Sequence, residues 1–185
     1  MKKTHALGAV AVLTALALTG CGAGEPAAEA PTAKQVREPA VNELMKDETA
    51  KGLSATSYYY FDAVNYALQT GDTGLMLSVA ADCAECAEEA SAIEAVYADG
   101  GRIEGGQPKA QNVMALGEPD ADGALSAVVP YMEDAKTVYA ADGSVIEETT
   151  WDADGTVYTV QGRYADGAWS LVSLAETPDA ELPEE

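Results

Sequence analysis

The chain has 185 residues, with 31 Asp or Glu against 10 Lys or Arg and a formal net charge of −21. Such an excess repels nucleic-acid phosphates and anionic lipid headgroups over the whole surface, which excludes a nucleic-acid partner. The single histidine, His5, falls in an N-terminal stretch that reads as an export signal. The exported remainder is therefore expected to have no histidine, and serine-histidine triads, cysteine-histidine pairs and structural zinc sites drop out.

Met1-Lys2-Lys3 is a short positive region ahead of an apolar run from Ala6 to Leu18. The run has the length of a signal-peptide core and falls short of the roughly 20 apolar residues that span a bilayer. Leu18-Thr19-Gly20-Cys21 comes next. A branched residue, two small residues and then cysteine resemble the lipobox of bacterial lipoproteins, which implies cleavage before Cys21 and diacylglycerol on its thiol. Two acyl chains, at about 0.8 kcal/mol per buried CH₂, hold a soluble domain on a membrane. An ordinary secretory signal with an incidental cysteine is the alternative.

The organisation expected from this is a signal peptide over 1–20, a lipidated tether over 21–40, one folded domain over 41–176 and an acidic tail over 177–185. The tether is Gly, Ala, Pro and Glu, too poor in apolar surface to offset the entropy of ordering it. The folded part is long enough for one core and not for two. The expected location is the outer face of the cytoplasmic membrane, in the envelope of a Gram-positive bacterium, with the membrane reached through lipid on Cys21.

Residues 53–68 hold eleven apolar or tyrosyl side chains in sixteen positions. They spread too widely around the 3.6-residue period for a surface helix, so the spacing predicts a helix covered on more than one side. Gly71 supplies its left-handed stop, and Asp72 is the expected N-cap of a short helix through Leu75, Leu77 and Val79. Asp82 and Glu85 have capping-box spacing ahead of Cys86, Ala90, Ile93 and Tyr97, a third helix that ends at Gly100-Gly101. From Arg102 onward the pattern changes to strands, expected over 113–116, 125–132, 137–139, 145–150, 156–164 and 169–174.

An Ala-Asp-Gly triplet recurs at Asp99, Asp122, Asp142, Asp154 and Asp166, each where one element should end and the next begin. Asp-Gly suits the positive backbone angles of tight hairpins, so these are expected to be turns. Calcium at Asp152-Ala153-Asp154-Gly155 is the sharper alternative, and the residues argue against it. An EF-type loop also needs an acid at 150 and a glutamate at 161, where this chain has Thr150 and Gln161.

Cys83 and Cys86, at i and i+3 on a helix start, can close a small disulfide in an oxidising exterior. So short a loop contributes only about 2 kcal/mol, and its role would be to fix the junction between the second and third helices. Asp82, Glu85, Glu88 and Glu89 surround the pair with negative charge, which opposes a reactive thiolate. With Cys21 acylated and no histidine left, a metal site lacks ligands, and no cofactor is implied.

Glu38-Pro39, Tyr58-Tyr59-Tyr60, Asn65-Tyr66-Ala67, Thr70-Gly71-Asp72, Cys83-Ala84-Glu85-Cys86 and the glycine-rich stretch Gly100 to Gly106 together resemble an actinobacterial lipoprotein family, the domain of unknown function 6318 family. The chain departs from it at Asn42-Glu43, where the family usually adds prolines. Helices followed by an antiparallel sheet also look like the nuclear transport factor 2-like cone. That resemblance implies an α+β fold whose N-terminal helices pack in the concave face of a curved antiparallel sheet, with a ligand pocket often at the far end of the cone. An activity does not travel with it.

On that fold, Tyr58, Asp62 and Tyr66, at i, i+4 and i+8 with Asn65 beside them, form a semi-polar stripe on an otherwise apolar helix. Facing a pocket, it would place Asp62 where desolvation makes it a general acid or base. Facing out, it marks the solvent edge of the helix. With no histidine and no second catalytic group, the residues favour a non-catalytic domain that binds a small molecule or an envelope protein over a cone-fold isomerase, dehydratase or hydrolase using Asp62. Trp169 is expected in the core and Trp151 at the surface. A homodimer through the sheet stays open.

Overall fold

A computed structural model describes residues 36–151 and 156–177. The export segment, Cys21 and the tether through residue 35, the 152–155 loop weighed for calcium, and the tail beyond Thr177 lie outside the described residues. Thr177 itself, taken from the sequence as the first residue of the tail, still donates its N–H to Val157 O at 2.7 Å.

A 3₁₀ turn, Glu43–Lys46, leads into α1, Ala50–Thr70, then α2, Gly74–Ser78, and α3, Ala84–Ala98. Thr49 Oγ1 accepts from Gly52 N at 3.2 Å to start α1, and Gly71 in the left-handed region ends it. Leu53, Ala55, Tyr59, Phe61 and Ala63 are buried on several sides of α1, so the sheet and the other helices enclose it. Two caps differ from expectation. Asp72 Oδ1 accepts from Gly74 N at 3.0 Å, but the N-cap of α2 is Thr73. At α3 the N-cap is Cys83, whose Sγ accepts from Cys86 N at 3.2 Å; the sulfur held beside Cys86 takes the place an Asp82 carboxylate would have filled.

Eight strands follow: β1 Arg102–Gly105, β2 Pro108–Ala110, β3 Met114–Leu116, β4 Ala124–Glu133, β5 Lys136–Tyr139, β6 Val145–Thr149, β7 Thr156–Ala165 and β8 Ala168–Glu176. Every pairing among them is antiparallel. β1, β5 and β6 form one sheet in the order β1-β5-β6; β2 and β3 share one edge of β4, and β7 and β8 continue the second sheet from its other edge. Both β1–β2 and β4–β5 cross from one sheet to the other, and the bend lies where Gly105 and Gly106 face Ala135. Their φ angles are 74° and 67°, and a Cβ on Gly105 would meet the Ala135 carbonyl oxygen at 1.9 Å. Only glycine allows so close an approach with that backbone. The result is an α+β fold with the helices in the concave face of a strongly curled antiparallel sheet, as expected.

The Asp-Gly pairs at Asp99, Asp122, Asp142 and Asp166 fall between elements, and the one at Asp154 lies outside the described residues. Asp166 and Gly167, with φ of 53° and 84°, make the two-residue hairpin joining β7 to β8. Trp169 is buried and donates Nε1–H to Asp47 O at 2.7 Å, while Trp151 is exposed. Cys83 and Cys86 lie at disulfide distance, and both are buried against the core.

Candidate functional site

The stripe Tyr58, Asp62, Asn65 and Tyr66 does not line the cleft between α3 and the bent sheet. It runs along the flank of α1 that meets β2 and β3: Val113 N donates to the Tyr58 hydroxyl at 3.0 Å, and Asn65 Nδ2 donates to Pro108 O at 2.9 Å. Asp62 is exposed, and partial covering pushes its carboxyl above the ordinary range. The buried Asn65 Oδ1 has no partner among the described residues.

The groups that do converge come from elements far apart in the chain. Tyr60 on α1 is fully buried and donates its hydroxyl to Glu89 Oε2 on α3 at 2.9 Å. Phe61 and Tyr131 have ring centroids 5.5 Å apart, and Tyr131 and Tyr158 are 5.0 Å apart, edge to face, which carries the aromatic contact from α1 across β4 to β7. Glu133 ends the same face of β4, with Oε2 a long 3.4 Å from the Tyr131 hydroxyl. Lys136 Nζ lies 3.3 Å from Glu147 Oε1 on β6.

Of these, Glu89, Tyr131, Glu133, Lys136, Glu147 and Tyr158 form the polar end of a cleft of about 350 Å³ between α3 and the bent sheet, and Tyr60 reaches it through its bond to Glu89. Its floor is apolar, from Leu68, Ile93, Val96, Ile103 and Val138. A hollow of about 210 Å³ beside it shares Glu89, Tyr131 and Tyr158. A larger hollow of about 600 Å³, near Glu48, Pro119 and Arg163, gathers mostly loop residues and none of this cluster.

The electrostatics of the cleft follow from the partial burial of its polar groups. Burial raises the Glu89 carboxyl; the hydrogen bond from Tyr60 and the charge of Lys136 offset part of that, and Glu133 adds to it. Burial likewise raises Glu133, against the pull of Lys136. The phenols of Tyr60 and Tyr131 are pushed far above their ordinary value, first by burial and then by the nearby carboxylates, so both remain neutral donors. Among the described residues, no group of three or more His, Cys, Asp or Glu could hold a metal ion. The cleft suits hydrogen bonding and charge recognition around an apolar body.

Residues 22–175 match the family of unknown function DUF6318. The chain belongs to that family. Among curated proteins, none is significantly similar in sequence. Among solved structures, the chain is similar to the intermembrane space region of the chloroplast protein ARC6, at 8% identity over 72% of this chain and 99% of that one, with a TM-score of 0.49. It is also similar to Aln2 from a Streptomyces species, at 13% identity over 72% and 95% of the two chains, with a TM-score of 0.42. A putative dehydratase of the NTF2-like family from Streptomyces avermitilis is 14% identical over 69% and 97%, with a TM-score of 0.37. At TM-scores below 0.5 none of these lends the DUF6318 chain an activity. Among the described residues, no helix is long and apolar enough to cross a membrane.

Proposed function

We propose that this DUF6318 protein is a non-catalytic binding domain, tethered by lipid on Cys21 at the outer face of the cytoplasmic membrane, whose cleft between α3 and the bent sheet takes a small molecule with an apolar body. The cleft itself carries the reading: about 350 Å³, with an aliphatic floor and a few converging polar groups at one end. Ligand sites are concave, mostly apolar and start near this size. Catalysis by Asp62 as in a cone-fold isomerase, dehydratase or hydrolase is the weaker reading, because Asp62 is exposed and is not among the residues lining the cleft.

Ala92 is exposed on α3 and lines the cleft, so an indole there fills the space without entering the core. Nile red, an uncharged dye that brightens in apolar surroundings, is expected to bind the parent and to bind Ala92→Trp about tenfold more weakly, the penalty of overfilling a packed site. Equal brightening of both proteins, at equal melting temperature, would rule the cleft out as the binding site.

The anchor rests on the spacing Leu18-Thr19-Gly20-Cys21. Mass measurement of the membrane-extracted protein is expected to find an N-terminal Cys21 bearing diacylglycerol, and Cys21→Ser is expected to move the protein to the soluble fraction. An unmodified N-terminus elsewhere in the chain would overturn the anchor.

A further inference from the structure

Two carboxylates reach the cleft without a salt bridge of their own. Glu89 and Glu133 line it from α3 and β4, and neither is ion-paired among the described residues. The basic side chain in the lining, Lys136, is already engaged by Glu147 at 3.3 Å. Tyr60 fills one acceptor position of Glu89, and a carboxylate has about four. Carboxylates partly drawn out of water, with no salt bridge of their own and only the pull of a Lys136 shared with Glu147, are costly to keep ionised, and a cation delivered between them relieves that cost.

The surroundings favour the same sign of ligand. Tyr131 and Tyr158 stand beside Glu89 in both hollows that meet there, and aromatic rings attract cations through their negative faces. The chain as a whole carries a net charge of −21, a field that concentrates cations at its surface and repels anions. A bare metal ion does not fit, since the acidic groups are too few and too spread to chelate one. The aliphatic floor needs an apolar partner.

We infer that the cleft selects an organic cation, with an amine or ammonium head among Glu89, Glu133 and the tyrosine rings and an apolar body over Ile93, Val96 and Ile103. This rests on the binding reading above and names its ligand class. The cationic head supplies the missing salt bridge, and the body covers the floor.

Three probes of one shape separate the terms: phenethylammonium, phenethyl alcohol and phenylpropionate, titrated by calorimetry into the full chain near neutral pH. The ammonium is expected to bind about tenfold more tightly than the alcohol, as a charge-assisted hydrogen bond with a cation–π contribution allows, and phenylpropionate is expected to bind most weakly. Glu89→Gln and Glu133→Gln are each expected to reduce that preference severalfold while leaving the alcohol within about twofold of its parent affinity. Glu43→Gln removes the same charge at an exposed site on the 3₁₀ turn and is expected to leave the preference intact. Melting temperatures of the three variants confirm that each is folded. Alcohol or propionate binding as tightly as the ammonium would overturn the inference, as would a preference that survives both cleft substitutions. If no probe binds while Nile red still reports the cleft, the cation is wrong and the binding reading stands; if Nile red fails as well, the binding reading itself is wrong.

Discussion

Gly52→Ala is expected to destabilise the domain by about 3 kcal/mol, the sum of overpacking and a disturbed part-buried hydrogen bond, and to lower its melting temperature by roughly 10 °C. Elsewhere in a helix alanine would be the better residue, by about 1 kcal/mol. Here the added Cβ would lie 2.0 Å from the Asp47 carbonyl oxygen, 2.7 Å from Trp169 Nε1 and 3.0 Å from the Leu44 carbonyl oxygen. Two of these three are backbone atoms and cannot swing aside. Making room means moving the 3₁₀ turn off α1, which breaks the bond from Trp169 Nε1 to Asp47 O and strains the bond from the Tyr164 hydroxyl to Lys46 O, both 2.7 Å. Those two bonds fasten the start of the fold to β7 and β8. Denaturant unfolding followed by tryptophan fluorescence reads the effect, because Trp169 sits at the contact. A variant as stable as the parent would mean that the turn does not seat against α1 in this way.

The same contact illustrates what the sequence could not convey. The long apolar helix was legible because its residues are apolar around most of the period, and the enclosing sheet is the reason: Phe61 and Ala63, two residues apart and so on nearly opposite sides of α1, are both buried. Turns at Asp142 and Asp166 were legible because Asp-Gly has a local backbone cause. By contrast β1 and β2 are four and three residues long, separated by the Gly105-Gly106 bend, and no alternation can establish itself over so short a run. Their pairing with β5 and β4 is a tertiary fact.

The polar cluster was missed for a related reason. Tyr60, Glu89, Tyr131, Glu133 and Tyr158 lie on four elements, and each acid taken alone reads as a solvated side chain. One local signal was present. Ala127, Val129, Tyr131 and Glu133 alternate along one face of β4, the first two fully buried, so Glu133 ends an inward-pointing series where a surface residue was not due. The stripe at Tyr58, Asp62 and Tyr66 had a real periodicity, but spacing on a helix says which residues share a face and nothing about what that face meets. The fold turns it toward β2 and β3, where Tyr58 and Asn65 bond to backbone groups.

Glu89→Gln is expected to be more stable than the parent near neutral pH by about 1–2 kcal/mol, the order of the cost of ionising a carboxyl in a partly buried site, and no more stable than the parent in acid. The folded carboxyl is raised above its ordinary 4.5, chiefly by burial. Between that value and the raised one, the folded protein holds a proton that the unfolded chain has lost, so stability is fully present below the unfolded value and falls as pH rises through the folded one. Glutamine still accepts from the Tyr60 hydroxyl and never ionises, so the variant lacks this loss. The neighbouring groups are common to both proteins: Glu133 from β4, Lys136 from β5, and the phenols of Tyr60, Tyr131 and Tyr158, which burial holds neutral. The stability difference between variant and parent, measured by denaturant unfolding across the acid-to-neutral range, therefore isolates Glu89 from the repulsion among the chain's many other acids. A difference that does not change with pH would show that Glu89 ionises in the folded domain as it does in the unfolded chain, and with it would go the half-compensated, partly buried charge on which cation selection depends.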